Sequence, residues 1–158
     1  MPIDQNWKKK SKDKQKQFKK FLDRVNPAQL IRELPALHEE AFSKIDCLEC
    51  ANCCKNHSPT FKATDIKRIS KYLGLKEPVF IDQYLLLDEE NDFVVKRSPC
   101  AFLESDNTCR IYDVRPSDCA RYPYTDEDVF IKRRQLTMAN SMVCPAVFHI
   151  LEKISANA

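Results

Sequence analysis

Four thiols fall within eight residues at Cys47-Leu-Glu-Cys50-Ala-Asn-Cys53-Cys54, and the chain's other cysteines, Cys100, Cys109, Cys119 and Cys144, are spread over its C-terminal half. Two residues between cysteines let a tight turn aim both sulfurs at one point, and this run does so twice in succession. That spacing is the one used by zinc knuckles and by iron–sulfur proteins. A thiol keeps its proton at neutral pH, and a bound cation is what drives it off. Three other readings compete. Structural disulfides belong to secreted chains, but the Lys-rich start of this sequence has no apolar signal-peptide core, so the expected compartment is the reducing cytoplasm. A thioredoxin-type pair needs a single CxxC beside a βαβ unit, and eight cysteines without that pattern do not match it. Free cysteines buried as small hydrophobes explain one or two thiols, not four together. The residues therefore point to zinc or iron, including the form of a [4Fe-4S] cluster, with all eight cysteines as candidate ligands.

Eight sulfurs divide in more than one way. Cys47, Cys50 and Cys53 with a distant Cys144-Pro145 resemble the ligand run of a bacterial ferredoxin, although there the Cys-Pro follows three residues after the third cysteine. That division leaves Cys54, Cys100, Cys109 and Cys119 for a second, four-thiolate site that zinc would accept. A single cluster with spare thiols is the other division. His57 is near enough in sequence to ligate, or to donate a hydrogen bond to a thiolate. His38 and His149, alone among apolar neighbours, read as core or surface residues.

The elements that must position these thiols are short. With 158 residues, 43% of them hydrophobic, the chain can build one modest core. No apolar run approaches the roughly 20 residues that a membrane helix needs, so no membrane partner is expected. The single glycine, Gly74, rules out glycine-rich phosphate loops, and no HExxH, GxSxG or EF-hand pattern occurs. The net charge of +3 is uneven: residues 1–25 carry +6 and the remainder −3.

Phe18, Phe21, Leu22 and Val25 follow a helical period, so residues 1–25 read as a basic, partly helical arm whose second half docks and whose first half is solvated. Its partner, protein or nucleic acid, is left open, since a charge run is most often a solvated face. Asn26-Pro27 reads as a cap and first-turn proline, with Leu30, Ile31 and Leu34 inward. Pro35 should break or restart that helix before Ala36–Ile45. Thr64 should cap a helix ending at Gly74, with Ile66, Ile69, Tyr72 and Leu73 apolar. Pro78–Leu85 reads as another helix, and strands at Leu86–Asp88 and Asp92–Lys96 flank an acidic turn. Cys100–Leu103 and Cys109–Tyr112 form a candidate second hairpin. Phe130-Ile131 is a candidate strand. Cys144-Pro145 opens a last helix whose dipole favours an anionic thiolate at its N-terminus. The prediction is an α+β fold, mostly helical: a small metal-clipped domain with one or two short β-hairpins over residues 26–158.

In order, CxxCxxCC, Ser98-Pro99-Cys100-Ala-Phe-Leu103, Cys109-Arg-Ile-Tyr112 and Arg115-Pro116-Ser-Asp-Cys119-Ala-Arg-Tyr122-Pro123 resemble the YkgJ-like CxxCxxCC cysteine-cluster family, described as chelating zinc or iron. The resemblance runs from Cys47 to the Cys144-Pro145 helix and departs at Ala51, where the family commonly has glycine. It implies metal binding and leaves the activity open. Larger proteins with a similar cluster, the flagellin lysine methylases, modify protein lysines and depend on an iron–sulfur centre, so an iron–sulfur redox protein or protein-modifying enzyme is the alternative reading. Within the motif, Tyr112 and Arg115 are candidates for the shell around the ligands. Arg115 either offsets the negative charge of a thiolate site or anchors backbone structurally. No catalytic constellation can be assembled.

Overall fold

The computed structural model describes residues 5–56, 58–97 and 99–156, with all their side chains except those of Leu48 and Glu49. His57 and Ser98 lie outside the described residues. In chain order the helices are α1 (Trp7–Asp13), α2 (Gln15–Arg24), α3 (Pro27–Lys44), α4 (Cys47–Cys50), α5 (Asn52–Asn56), α6 (Ala63–Leu73), α7 (Glu77–Tyr84), α8 (Ser117–Arg121), α9 (Val129–Lys132), α10 (Arg134–Asn140) and α11 (Pro145–Ala156). The strands are β1 (Thr60–Phe61), β2 (Leu85–Leu87) and β3 (Phe93–Val95). The small α+β fold expected from the sequence is what forms. The chain divides into two compact units: Met1–Cys47 with Pro123–Ala158, and Leu48–Tyr122.

The first unit is helical. Asn26 caps α3, its Oδ1 accepting from the Gln29 N–H at 3.2 Å, with Pro27 in the first turn. Pro35 does not end this helix, which continues through it to Lys44. A proline costs the helix the bond to the carbonyl four residues back. That carbonyl is Ile31's, on a residue 39% exposed rather than inward as expected, while Leu30, Leu34 and Ala41 bury the opposite stripe. The basic arm also differs from expectation in its first half. Trp7 and Ser11 are buried, with Trp7 packed 6.5 Å from the Phe148 ring. Ser11 donates to the Ser141 carbonyl at 2.8 Å, and Lys14 pairs with Glu152 at 2.8 Å. Phe130 and Ile131 are helical in α9, not a strand. Both are buried, which adjacent residues of a one-faced strand cannot be.

The second unit carries an antiparallel sheet in the order β1-β3-β2, with Leu85 opposite Val95 and Thr60 opposite Val94. The β2–β3 hairpin was legible, and the two-residue β1 was not. Its acidic turn is set by Asn91 at φ 63° and by the Asp88 carboxylate, which accepts from the Glu90 and Asp92 N–H groups, each at 2.9 Å. Phe61, Ile66, Ile69, Phe80 and Phe102 form the core under the sheet. α6 is capped differently from expectation. Lys62 is the N-cap, and Asp65, not Thr64, bonds back to the Lys62 N–H at 2.9 Å. Gly74 at φ 71° ends α6 as expected, but Tyr72 is 53% exposed. The proposed second hairpin is reduced to a single bridge, Leu103 to Cys109.

Candidate metal centre

The cysteine run folds as two short helices, α4 and α5, joined at Ala51. Ala51 is buried and takes φ 45°, a left-handed conformation that glycine adopts without cost. This turn separates Cys50 on α4 from Cys53 and Cys54 on α5.

Three segments of the second unit meet around Cys54. The Cys100 N–H donates to the Cys54 carbonyl at 2.9 Å, tying α5 to the Cys100 loop. That loop closes on Cys109 through the Leu103 bridge and the Arg110 N–H to Phe102 carbonyl bond at 2.8 Å. At its tip, Asp106 accepts from the Thr108 hydroxyl at 2.6 Å and from the Thr108 N–H at 3.1 Å. The third segment is α8, which carries Cys119.

Two acidic side chains that the sequence did not single out position α8. Asp118 accepts from the Thr60 N–H at 3.0 Å, joining α8 to β1. Asp65, almost fully buried, accepts from the Ser117 N–H at 3.1 Å and from Arg68 at 2.8 Å. Arg68 donates in turn to the carbonyls of Val114 and Arg115, at 3.3 and 2.9 Å. Burial pushes the Asp65 carboxyl up. The Lys62 N–H, the Arg68 guanidinium and the Ser117 N–H outweigh that and hold it below the ordinary carboxylate value. In the sequence the polar start of α6 points to Thr64 as the cap, whereas Lys62 is the N-cap and Asp65 stands at the third helical position.

All eight cysteines are free thiols. Cys54, Cys100, Cys109 and Cys119 sense one another electrostatically. Burial raises the Cys119 thiol well above its usual value, and Cys100, Asp118, Cys54 and Cys109 add to the effect. Burial also raises Cys109, with Cys100 and Cys54 acting the same way, while the Ile111 N–H and Arg115 oppose it. At Cys100 burial again dominates, offset by N–H groups of Phe102 and Leu103 directed at the sulfur. Cys54 is raised first by its hydrogen bond with Cys53 and then by burial. Backbone N–H groups aimed at sulfur suit a thiolate, because each stabilises its negative charge. As placed, however, no three His, Cys, Asp or Glu side chains among the described residues close on a common point as an ion-holding set.

The structure thus brings four of the eight predicted ligands into one neighbourhood, with Cys53 beside them. Cys50 ends α4, while Cys47 and Cys144 belong to the first unit. Arg115 stacks its guanidinium 4.2 Å over the Tyr112 ring and donates to the Tyr112 carbonyl at 3.0 Å. Tyr112 itself is 59% exposed. His38 is a packing residue in the first unit, its Nδ1 2.6 Å from the Thr125 hydroxyl and its ring against Phe42.

Residues 46–145 match the model of the CxxCxxCC family, described as a "putative zinc- or iron-chelating domain". The match spans well over half of the sequence, and the chain belongs to that family. Comparison with the curated proteins and with the solved structures gave no match. No helix among the described residues is long and apolar enough to cross a membrane.

Proposed function

We propose that the protein is a thiolate metal-binding protein in which Cys54, Cys100, Cys109 and Cys119 hold one zinc ion. The observation that carries this reading is the convergence of α5, the Cys100–Cys109 loop and α8 on one neighbourhood of thiols, fixed by the Cys100–Cys54 backbone bond. Four thiolates suit tetrahedral zinc, with sulfur at about 2.3 Å. Zinc supplies the charge that replaces four thiol protons. Binding then closes rotamers that stand apart without it, so that metal and local fold form together. Four ligands leave no open position, which makes the ion a clip for the second unit. Arg115, which opposes the rise of the Cys109 thiol, offsets part of the net negative charge of a zinc tetrathiolate.

Iron is the second reading, favoured by the spacing of Cys47, Cys50 and Cys53 with Cys144-Pro145. These four remain the sequence-based candidates for further metal or for a [4Fe-4S] cluster. Protein purified without oxygen, analysed for zinc, iron and acid-labile sulfide, tests both readings. The zinc reading expects a colourless protein with zinc, and Cys119→Ser losing it. Iron with sulfide and a brown colour overturns the zinc reading in favour of the cluster.

A further inference from the structure

We infer that the outer face of α1 and α2 is a docking surface for duplex nucleic acid, gripped through its phosphate backbone without reading base sequence. Lys9, Lys12, Lys16, Lys20 and Arg24 are exposed and recur every three or four residues. α1 closes on the Lys14 N–H to Lys10 carbonyl bond at 3.0 Å and α2 opens on the Phe18 N–H to Lys14 carbonyl bond at 2.9 Å, so the two helices meet at Lys14. Lys9 and Lys12 therefore stand on α1, and Lys16, Lys20 and Arg24 form a row about 12 Å long on α2 at 1.5 Å per residue. Among the described residues none of the five stands in an ion pair. Two carboxylates share this face. Asp23 is already met by Lys19 and Arg134, each at 2.9 Å, and among the described residues of the two helices Asp13 alone stands against the cations. Arg134 comes from α10, 111 residues further along the chain, and the exposed Arg133 beside it widens the patch.

What the face lacks selects the partner. The apolar side of the helix pair is consumed by the core, where Trp7, Phe18 and Leu22 are buried. Phe21 and Val25 are half-buried beside Lys16, Lys20 and Arg24, which leaves only a small apolar area to insert into a lipid surface, less than a basic helix needs for stable binding. None of the large exposed hydrophobics is on α1 or α2, so the aromatic or aliphatic anchors of a protein interface are missing. An exposed aromatic to stack an unpaired base is missing too. What remains is a face of exposed point charges, about one per helical turn, which is the chemistry of backbone phosphate contact. Duplex DNA and duplex RNA share that chemistry.

Fluorescence anisotropy of the full chain with random-sequence DNA and RNA duplexes of about 20 base pairs tests the inference. Binding to at least one duplex is expected, weakening roughly a hundredfold between about 50 and about 200 mM salt, as four or so phosphate contacts require. Joint replacement Lys9→Glu, Lys16→Glu and Lys20→Glu is expected to lower affinity at least tenfold, while Lys67→Glu with Lys71→Glu on α6 leaves it within about twofold. Circular dichroism and zinc content unchanged in both variants separate this result from loss of fold or of the thiol site. If the glutamate variant misfolds, the same three positions as glutamine must still weaken binding. No duplex binding at low salt, equal loss in the α6 control, or a row variant that binds like the parent overturns the inference. Binding only to phosphatidylserine vesicles, or only to polyglutamate, does so as well.

Discussion

Ala51 shows how one residue sets the geometry of the cysteine run. Its φ of 45° places a Cβ where glycine has none. A left-handed conformation costs an L-residue about 1–2 kcal/mol. Glycine would give back part of that gain, about 0.4–1 kcal/mol, through a freer unfolded chain. Glycine also loses the buried methyl, about 0.8 kcal/mol, so the effects nearly cancel and Ala51→Gly is expected to leave the urea midpoint of the second unit unchanged or slightly raised, where an ordinary buried alanine would lose stability. A lower midpoint would contradict the strained-turn account. The departure at this position was visible in the sequence, but its cost needed the backbone angle. Asp65 was not visible in its role, because its partners Ser117 and Arg68 lie on different elements. Its folded-state pKa lies below the ordinary value, so its contribution is complete above that value and is lost as pH falls through the lowered one. Asp65→Asn is expected to remove about 2 kcal/mol at neutral pH and to flatten the acid side of the stability profile. An unchanged pH profile would show that the carboxylate does not clamp α8.

At the scale of elements, periodicity located most helices and failed where a local rule met a tertiary one. Pro35 breaks the helical rule, yet Leu30, Leu34 and Ala41 bury one continuous stripe and hold α3 together across it. Because Pro35 is exposed, Pro35→Ala loses no packing and regains the bond to the Ile31 carbonyl. It is expected to stabilise the first unit by about 1–2 kcal/mol, after allowing for the freer unfolded chain. Denaturation followed through the chain's single tryptophan, Trp7, reads this directly, since Trp7 sits in that unit's core. In the sequence, two apolar runs flanking a polar turn make Cys100–Cys109 a candidate hairpin. Only one bridge forms, and the Leu103 N–H instead closes a turn on the Cys100 carbonyl at 3.1 Å. Two short runs around a loop leave too few cross-strand pairs to hold a ladder.

For the whole molecule, the CxxCxxCC family was legible in the cysteine spacing and the division into units was not, because the first unit is assembled from both ends of the sequence. Removal of residues 1–16 takes away Trp7 against Phe148, Ser11 on Ser141 and Lys14 on Glu152. That truncation is expected to destabilise the first unit while zinc content stays at the parent level. Loss of zinc with the truncation would contradict the placement of the site within the second unit. The most direct measurement is X-ray absorption at the edge of the bound metal. The account expects a zinc edge with four sulfur neighbours at about 2.3 Å, lost in Cys119→Ser. A shell dominated by nitrogen or oxygen, or an intact sulfur shell in Cys119→Ser, would contradict it.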